Sequence, residues 1–186
     1  WEPGEYIIAD ESMIWWTGQG DVHLVYIPRK PTERGIELKT LCCGESNIML
    51  NVDVVEGKEL DHAKEFVAAC GRPSTATTLR LVAPYKGKGK TVIADSWFGS
   101  CRTAEWLWDT CGLYCILCVK NGHSGFCKDK LKEAIGGVRE ASAFFKVDVQ
   151  CDRGVKTFYA GGHLDKMPLY LIATAGTSLE GPKRKR

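Results

Sequence analysis

No apolar run in this sequence approaches the roughly 20 residues that carry a helix across a bilayer, so no membrane segment is expected. Nor does it open on a basic stretch followed by an apolar one, so no secretory leader is visible. The first residue is Trp1 instead of Met, and the chain reads as a piece of something longer. Charge of one sign is scarce as well. The 25 Lys and Arg against 23 Asp and Glu leave a formal net charge of +2, which announces no nucleic-acid partner unless the basic residues gather on one face. The nine cysteines are odd in number and lack the dense, even spacing of a disulfide scaffold, which points to reduced thiols inside a cell. No internal repeat is present. What remains is the balance of a soluble globular protein, 44% hydrophobic and 26% charged over 186 residues. That length suits one medium domain, or a domain with a smaller inserted unit, since a core of ordinary size takes about 100 to 150 residues.

Four short apolar runs come first: Tyr6 to Ala9, Val22 to Ile27, Ile36 to Cys43 and Ile48 to Val55. Turn-forming stretches separate them, so each reads as a strand. From Glu59 the period changes. Leu60, Ala63, Phe66, Val67 and Cys70 recur at helical spacing until Gly71 and Pro73, which predicts one amphipathic helix. A Thr-rich helix from Ser74 to Ala83 follows, and then the turn Lys86 to Lys90, reading KGKGK. Thr91 to Ala94 forms a β-branched strand closing on Asp95. The next helix has Ser100 as its N-cap, Ala104, Leu107, Trp108 and Cys111 on one stripe, and Gly112 as its stop. Leu113 to Val119 is a buried strand. A basic helix at Lys128 to Ile135, a Gly136-Gly137 break and three strands (Phe144 to Gln150, Lys156 to Ala160, Leu169 to Ala173) complete the pattern. The expected fold class is α/β, a mixed sheet with flanking helices plus a mostly-β unit.

Asp10 and Asp95 share one kind of place, each a carboxylate closing a short apolar strand. Alternation puts Ile8 and Asp10 on one face and Ile7 and Ala9 on the other, so each strand delivers its acid to the sheet's edge. Two partly buried carboxylates side by side are costly unless a cation offsets both burial and repulsion. Hard divalent ions with oxygen ligands do this, and a pair of them can activate water and stabilise the leaving oxygen of a phosphodiester. The plainer alternative is that Asp10 caps a turn and Asp95 caps the following helix.

Three separated blocks tip that balance: Asp10-Glu11-Ser12-Met13; Ile27-Pro28-Arg29-Lys30-Pro31 through Gly35-Ile36-Glu37-Leu38-Lys39; and Ala94-Asp95-Ser96-Trp97-Phe98-Gly99-Ser100. In this order they resemble the catalytic region of PiggyBac transposases and their domesticated relatives, closely over about the first 120 residues and loosely after. The resemblance implies a ribonuclease H-like fold, with Asp10 on the first core strand and Asp95 on the fourth as catalytic, metal-binding residues. It implies Mg²⁺ or Mn²⁺ as cofactor, transposon-end and target DNA as partners, a homodimer in the full-length parent, and a nuclear location. It divides the chain into a partial catalytic core at 1–120, an inserted β-rich unit at 121–182 and a basic tail at 183–186. The family also uses a third Asp within a Gly-Val-Asp-like segment, and no such segment occurs here. The chain alone is therefore expected to be inactive. One alternative is a domesticated, non-catalytic DNA- or protein-binding module. Another is a self-contained nuclease recruiting Glu65 from the helix after the first four strands, against the more common fate of a solvated Glu.

Two basic clusters flank the acids in sequence, Arg29, Lys30 and Arg34 with Lys39, and Lys86, Lys88 and Lys90. Each is a candidate for DNA phosphates, and solvated loop charge is the alternative. Gly89-Lys90-Thr91 is no phosphate loop, because the upstream Gly is missing and a strand follows. Cys115 and Cys118 form a CxxC within a strand, where residues three apart face opposite ways, so packed thiols are expected over a zinc site. The four His are scattered singly and suggest no ligand set, and Trp15, Trp16, Trp97 and Phe98 read as core and loop anchors. Lys183 to Arg186 resembles a nuclear localisation signal.

Overall fold

The computed structural model describes residues 1–20 and 23–176. The basic tail and the last residues of the expected inserted unit lie outside them. The strands are β1 (Tyr6–Trp15), β2 (Leu24–Tyr26), β3 (Arg34–Cys43), β4 (Met49–Val54), β5 (Thr91–Ala94), β6 (Tyr114–Val119), β7 (Ser142–Cys151), β8 (Gly154–Leu164) and β9 (Pro168–Ala173). The helices are α1 (Lys58–Ala63), α2 (Val67–Cys70), α3 (Pro73–Val82), α4 (Cys101–Trp106) and α5 (Lys128–Ile135).

All described strands lie in a single sheet ordered β2-β3-β1-β5-β6-β9-β8-β7, with β4 also paired to β3. β1, β5 and β6 run parallel; β3 is antiparallel to β1, and β9 to β6. The fold is the mixed α/β sheet with flanking helices that the sequence predicts. The strands after residue 120 are continuous with those before it, because β9 pairs directly with β6.

One face of this sheet carries the core. Ile7 and Ala9 of β1, Leu41 of β3, Val92 and Ala94 of β5 and Leu117 of β6 are all buried there, with Leu79, Val82, Phe98, Ala104 and Leu107 from the helical side. The other face, with Ile8, Ile93 and Ile116, is half-buried. α3 holds its place despite three Thr because their hydroxyls are satisfied locally. Thr78 Oγ1 donates to Ser74 O at 2.8 Å, and Thr75 Oγ1 meets Thr103 Oγ1 of α4 at 2.9 Å.

Three elements depart from the sequence pattern. The helix expected over 59–70 is split into α1 and α2, because Lys64 leaves the helical path at φ −65°, ψ 156° and its ammonium is held by Asp53, Asp61 and Glu56. Phe66 then takes a left-handed turn at φ 67°. The helix from Ser100 does begin as predicted, with Thr103 N donating to Ser100 Oγ at 3.0 Å, and stops at Gly112 in the left-handed region. Its last stretch, Leu107–Cys111, widens to a π-turn. Finally, β1 runs on past Asp10 to Trp15. β3 stays paired with it through Trp15↔Gly35, whereas its pairing with β5 ends at Ala9↔Ala94.

Candidate functional site

The parallel register decides where the two acids meet. Ile8 pairs with Ile93 and Ala9 with Ala94, so Asp10 and Asp95 are the next residues on neighbouring strands, whose axes lie about 4.8 Å apart. By alternation both acids belong to the half-buried face, two residues beyond Ile8 and Ile93. Asp95 also bears on Cys118 of the next strand. Burial raises that thiol's pKa, and the Asp95 charge raises it further.

Neither acid stands as the sequence reading had it in every respect. Asp95 does follow the last residue of its strand, but Asp10 lies within β1, at the point where β1 parts from β5. Both are exposed instead of partly buried, because the chain turns away after Asp95 and leaves the edge open. Asp10 Oδ1 accepts from Glu11 N at 2.8 Å and Asp95 Oδ1 from Trp97 N at 2.9 Å. Each side chain thus has one oxygen oriented by backbone, and no described protein group bonds the second. That arrangement fits a hard cation that keeps several waters and takes one or two carboxylates, as Mg²⁺ does. Among the described residues no group of three or more His, Cys, Asp or Glu is placed to hold a metal.

Behind the acids, on the core face, lies a buried charge cluster that sequence reasoning missed. Lys39 is 4% exposed. Its Nζ is 2.9 Å from Glu37 and 3.2 Å from Glu11, and sits 3.7 Å from the centre of the Trp97 ring. Lys30 reaches Glu11 from outside at 3.0 Å. Burial alone would raise the Glu11 pKa, but the bonds and charges of Lys30 and Lys39 outweigh it and hold that carboxyl below its ordinary value. Trp97 is therefore gripped by Lys39 while its backbone N–H orients Asp95. The only sequence signal was a Lys at a core-facing position of a strand.

The basic candidates separate. Lys30 is engaged with Glu11, Arg29 lines a cavity of about 230 Å³ beside Glu11 and Lys39, and exposed Arg34 opens β3. Lys86, Lys88 and Lys90 precede β5 and so stand at the end of the sheet opposite to Asp95. There Lys90 Nζ donates to Pro3 O at 2.6 Å, and Lys88 approaches Glu2 at 3.8 Å. The structure brings other basic groups to the acid end. Arg72, Lys120 and His123 line a cavity of about 470 Å³ with Ser74, Ser96 and Trp97, directly after Asp95 in the chain. Arg72 Nη1 donates to His123 Nε2 at 2.9 Å, which leaves the ring proton on Nδ1, an atom with no hydrogen-bond partner. Spread over residues 72 to 123, this group has no sequence signature.

Glu65 is exposed in the turn between α1 and α2, and its carbonyl accepts from Arg80 at 2.8 Å. Arg80 in turn binds Asp53 of β4, so Glu65 sits over the outer strand, two strands from β1.

Residues 1–145 match a family model described as Transposase IS4. The chain belongs to that transposase family. Its fold matches that of a piggyBac transposase seen by cryo-EM as a synaptic complex with hairpin DNA, with a TM-score of 0.79 and 19% identity. That likeness covers 98% of this chain and 35% of the other, so this member of the family spans about a third of the length of the structure it matches. No curated protein matches it in sequence. For this transposase-family chain, Cys115 and Cys118 lie on opposite faces of β6, one buried and one half-buried, and Cys115 bonds Thr174. Phe98 is wholly buried, whereas Trp15, expected as an anchor, is 72% exposed because β1 runs past the core there. Among the described residues, no helix is long and apolar enough to cross a membrane.

Proposed function

We propose that this chain carries two carboxylates of a DDE-type transposase centre, Asp10 and Asp95, and that the complete parent completes the set with a third to cut and join DNA. The single observation that supports this is the Ala9↔Ala94 register, from which two acids 85 positions apart in sequence emerge as neighbours on one open edge. Mg²⁺ or Mn²⁺ bound there would supply the Lewis acidity that activates water and stabilises the leaving oxygen of a phosphodiester. The residues of this chain hold and orient. Glu11 N and Trp97 N fix one oxygen of each carboxylate, and Lys39 fixes Trp97.

DNA as the partner is supported by the basic cavity beside Asp95, where Arg72 and Lys120 offer donors for backbone phosphates. A nuclear site of action is part of the same proposal. With two acids alone, the chain is expected to bind metal weakly and to leave DNA uncut. The test is Mn²⁺ titration followed by electron paramagnetic resonance. Weak binding that disappears in Asp10→Ala and in Asp95→Asn is the expected result; binding unchanged in both variants sinks the assignment. A non-catalytic binding module is distinguished by the same titration, since it predicts DNA binding without metal binding at these two residues.

A further inference from the structure

Arg72 and His123 are 51 positions apart in sequence, the one just ahead of α3 and the other just after β6. Backbone fixes both. Arg72 precedes Pro73, the first residue of α3, in an extended conformation at φ −143°, ψ 113°, and its carbonyl accepts from Cys70 Sγ at 3.4 Å. His123 closes the turn that leaves β6, its N–H donating to Lys120 O at 3.0 Å. The two side chains then meet through Nη1 and Nε2. A buried or oriented Arg is commonly held by a carboxylate, whose charge cancels that of the guanidinium. Here the holder is neutral, because an imidazole that accepts at Nε2 carries only the Nδ1 proton. The contact keeps the guanidinium in place and leaves its charge whole. Among the described residues no other group bonds the Arg72 side chain, so Nε and Nη2, the edge that grips two oxygens at once, are free.

We propose that His123 is a positioning residue for DNA binding: it docks Arg72 so that the free guanidinium edge meets one phosphodiester of a strand lying in the cavity beside Asp95. This rests on the reading of that cavity as a DNA contact, and assigns within it a residue that gives no bond to DNA. The His123 Nδ1 atom is buried without a partner, so the ring acts on a ligand only through the guanidinium it holds. Arg72 is exposed, and an exposed Arg has many rotamers to lose when it grips a phosphate. Tying one nitrogen beforehand removes part of that loss from the binding step. Lys120, exposed on the same cavity, is a flexible point charge by contrast and adds attraction without a fixed direction.

Fluorescence anisotropy of a labelled DNA duplex with the full chain tests this as a double-mutant cycle. Arg72→Ala should weaken binding about tenfold and lower the slope of log affinity against log salt by about one. His123→Ala keeps both cations of the cavity and should leave that slope unchanged, yet weaken binding about three- to fivefold, because Arg72 regains its rotamers. His123→Gln presents an amide oxygen that accepts from Arg72 in place of Nε2, and should restore wild-type affinity within about twofold. Arg72→Ala combined with His123→Ala should bind no more weakly than Arg72→Ala alone. Thermal unfolding checks that each variant is folded; should His123→Ala disturb the fold, His123→Phe, a ring without an acceptor, takes its place and should lose as much. If Arg72→Ala binds as wild type does, the cavity is no DNA contact and the proposal falls with that reading. If Arg72→Ala weakens binding but His123→Ala does not, if His123→Gln fails as His123→Ala does, or if the two losses add, the DNA contact stands and the positioning role is overturned.

Discussion

Replacing Lys39 by Met is the most informative single change to the charge cluster behind the acids. The ammonium it removes lies among Glu11, Glu37 and the Trp97 ring, with the Glu11 and Glu37 side chains only 10% and 13% exposed. Removing one partner of a buried ion pair costs about 3 to 5 kcal/mol, because the other charge stays buried without compensation. Lys30 still reaches Glu11, and the adjoining cavity of about 230 Å³ admits water, so the lower end applies. A loss of about 3 kcal/mol at pH 7 is expected, and with m near 2 kcal/mol/M it moves the urea midpoint by about 1.5 M. The pH dependence gives a second check. A carboxyl whose folded pKa lies below its unfolded value stabilises the fold above the unfolded pKa, and that contribution is lost as pH falls through the folded pKa. Glu11 is such a group in the wild type. In the variant, burial remains and one of its two cations is gone, so its pKa rises. The gap between wild type and variant should therefore close as pH drops below about 4. Urea unfolding followed by tryptophan fluorescence at pH 7 and near pH 3.5 measures both. A loss under about 0.5 kcal/mol, or one that does not change with pH, refutes the reasoning.

Gly99→Ala should destabilise the chain by about 1 to 3 kcal/mol in urea unfolding, since an added Cβ would meet Cys118 O at 1.8 Å and neither backbone can yield cheaply. Ser100→Ala removes the cap that accepts from Thr103 N and should lower stability by about 1 kcal/mol in urea unfolding. Phe98→Ala empties a wholly buried site and should cost about 3 to 5 kcal/mol, read from thermal or urea unfolding. In DNA binding, Arg72→Ala with Lys120→Ala should flatten the salt dependence more than Lys86→Ala with Lys88→Ala, because the first pair lines the cavity beside Asp95 and the second stands at the opposite end of the sheet; equal slopes would contradict that placement.

Strand periodicity carried most of the fold. Leu113 to Val119 alternates between a buried and a half-buried face throughout, Ile7 to Ala9 and Val92 to Ala94 do so over three residues each, and the neighbouring placement of the acids followed from the two apolar runs that close on Asp10 and Asp95. What escaped the sequence was set by contacts between distant residues. The break at Lys64 depends on Asp53 and Glu56, which no helical period registers. The extension of β1 beyond Asp10 depends on β3 staying in register to Gly35. The KGKGK turn flanks Asp95 in sequence, but a strand lies between them and carries them to opposite ends. The cavity residues Arg72, Lys120 and His123 came together only once α3 was laid beside the end of β6.

Paramagnetic broadening by Mn²⁺, read residue by residue in amide NMR spectra, asks most directly whether the two acids form one metal site. Signals from residues 9 to 11 and 94 to 97 should fade together at the lowest Mn²⁺ additions, ahead of the Asp53, Glu56 and Asp61 cluster that Lys64 already neutralises. Broadening that starts at that cluster or around Glu65, while Asp10 and Asp95 stay sharp, would contradict the account.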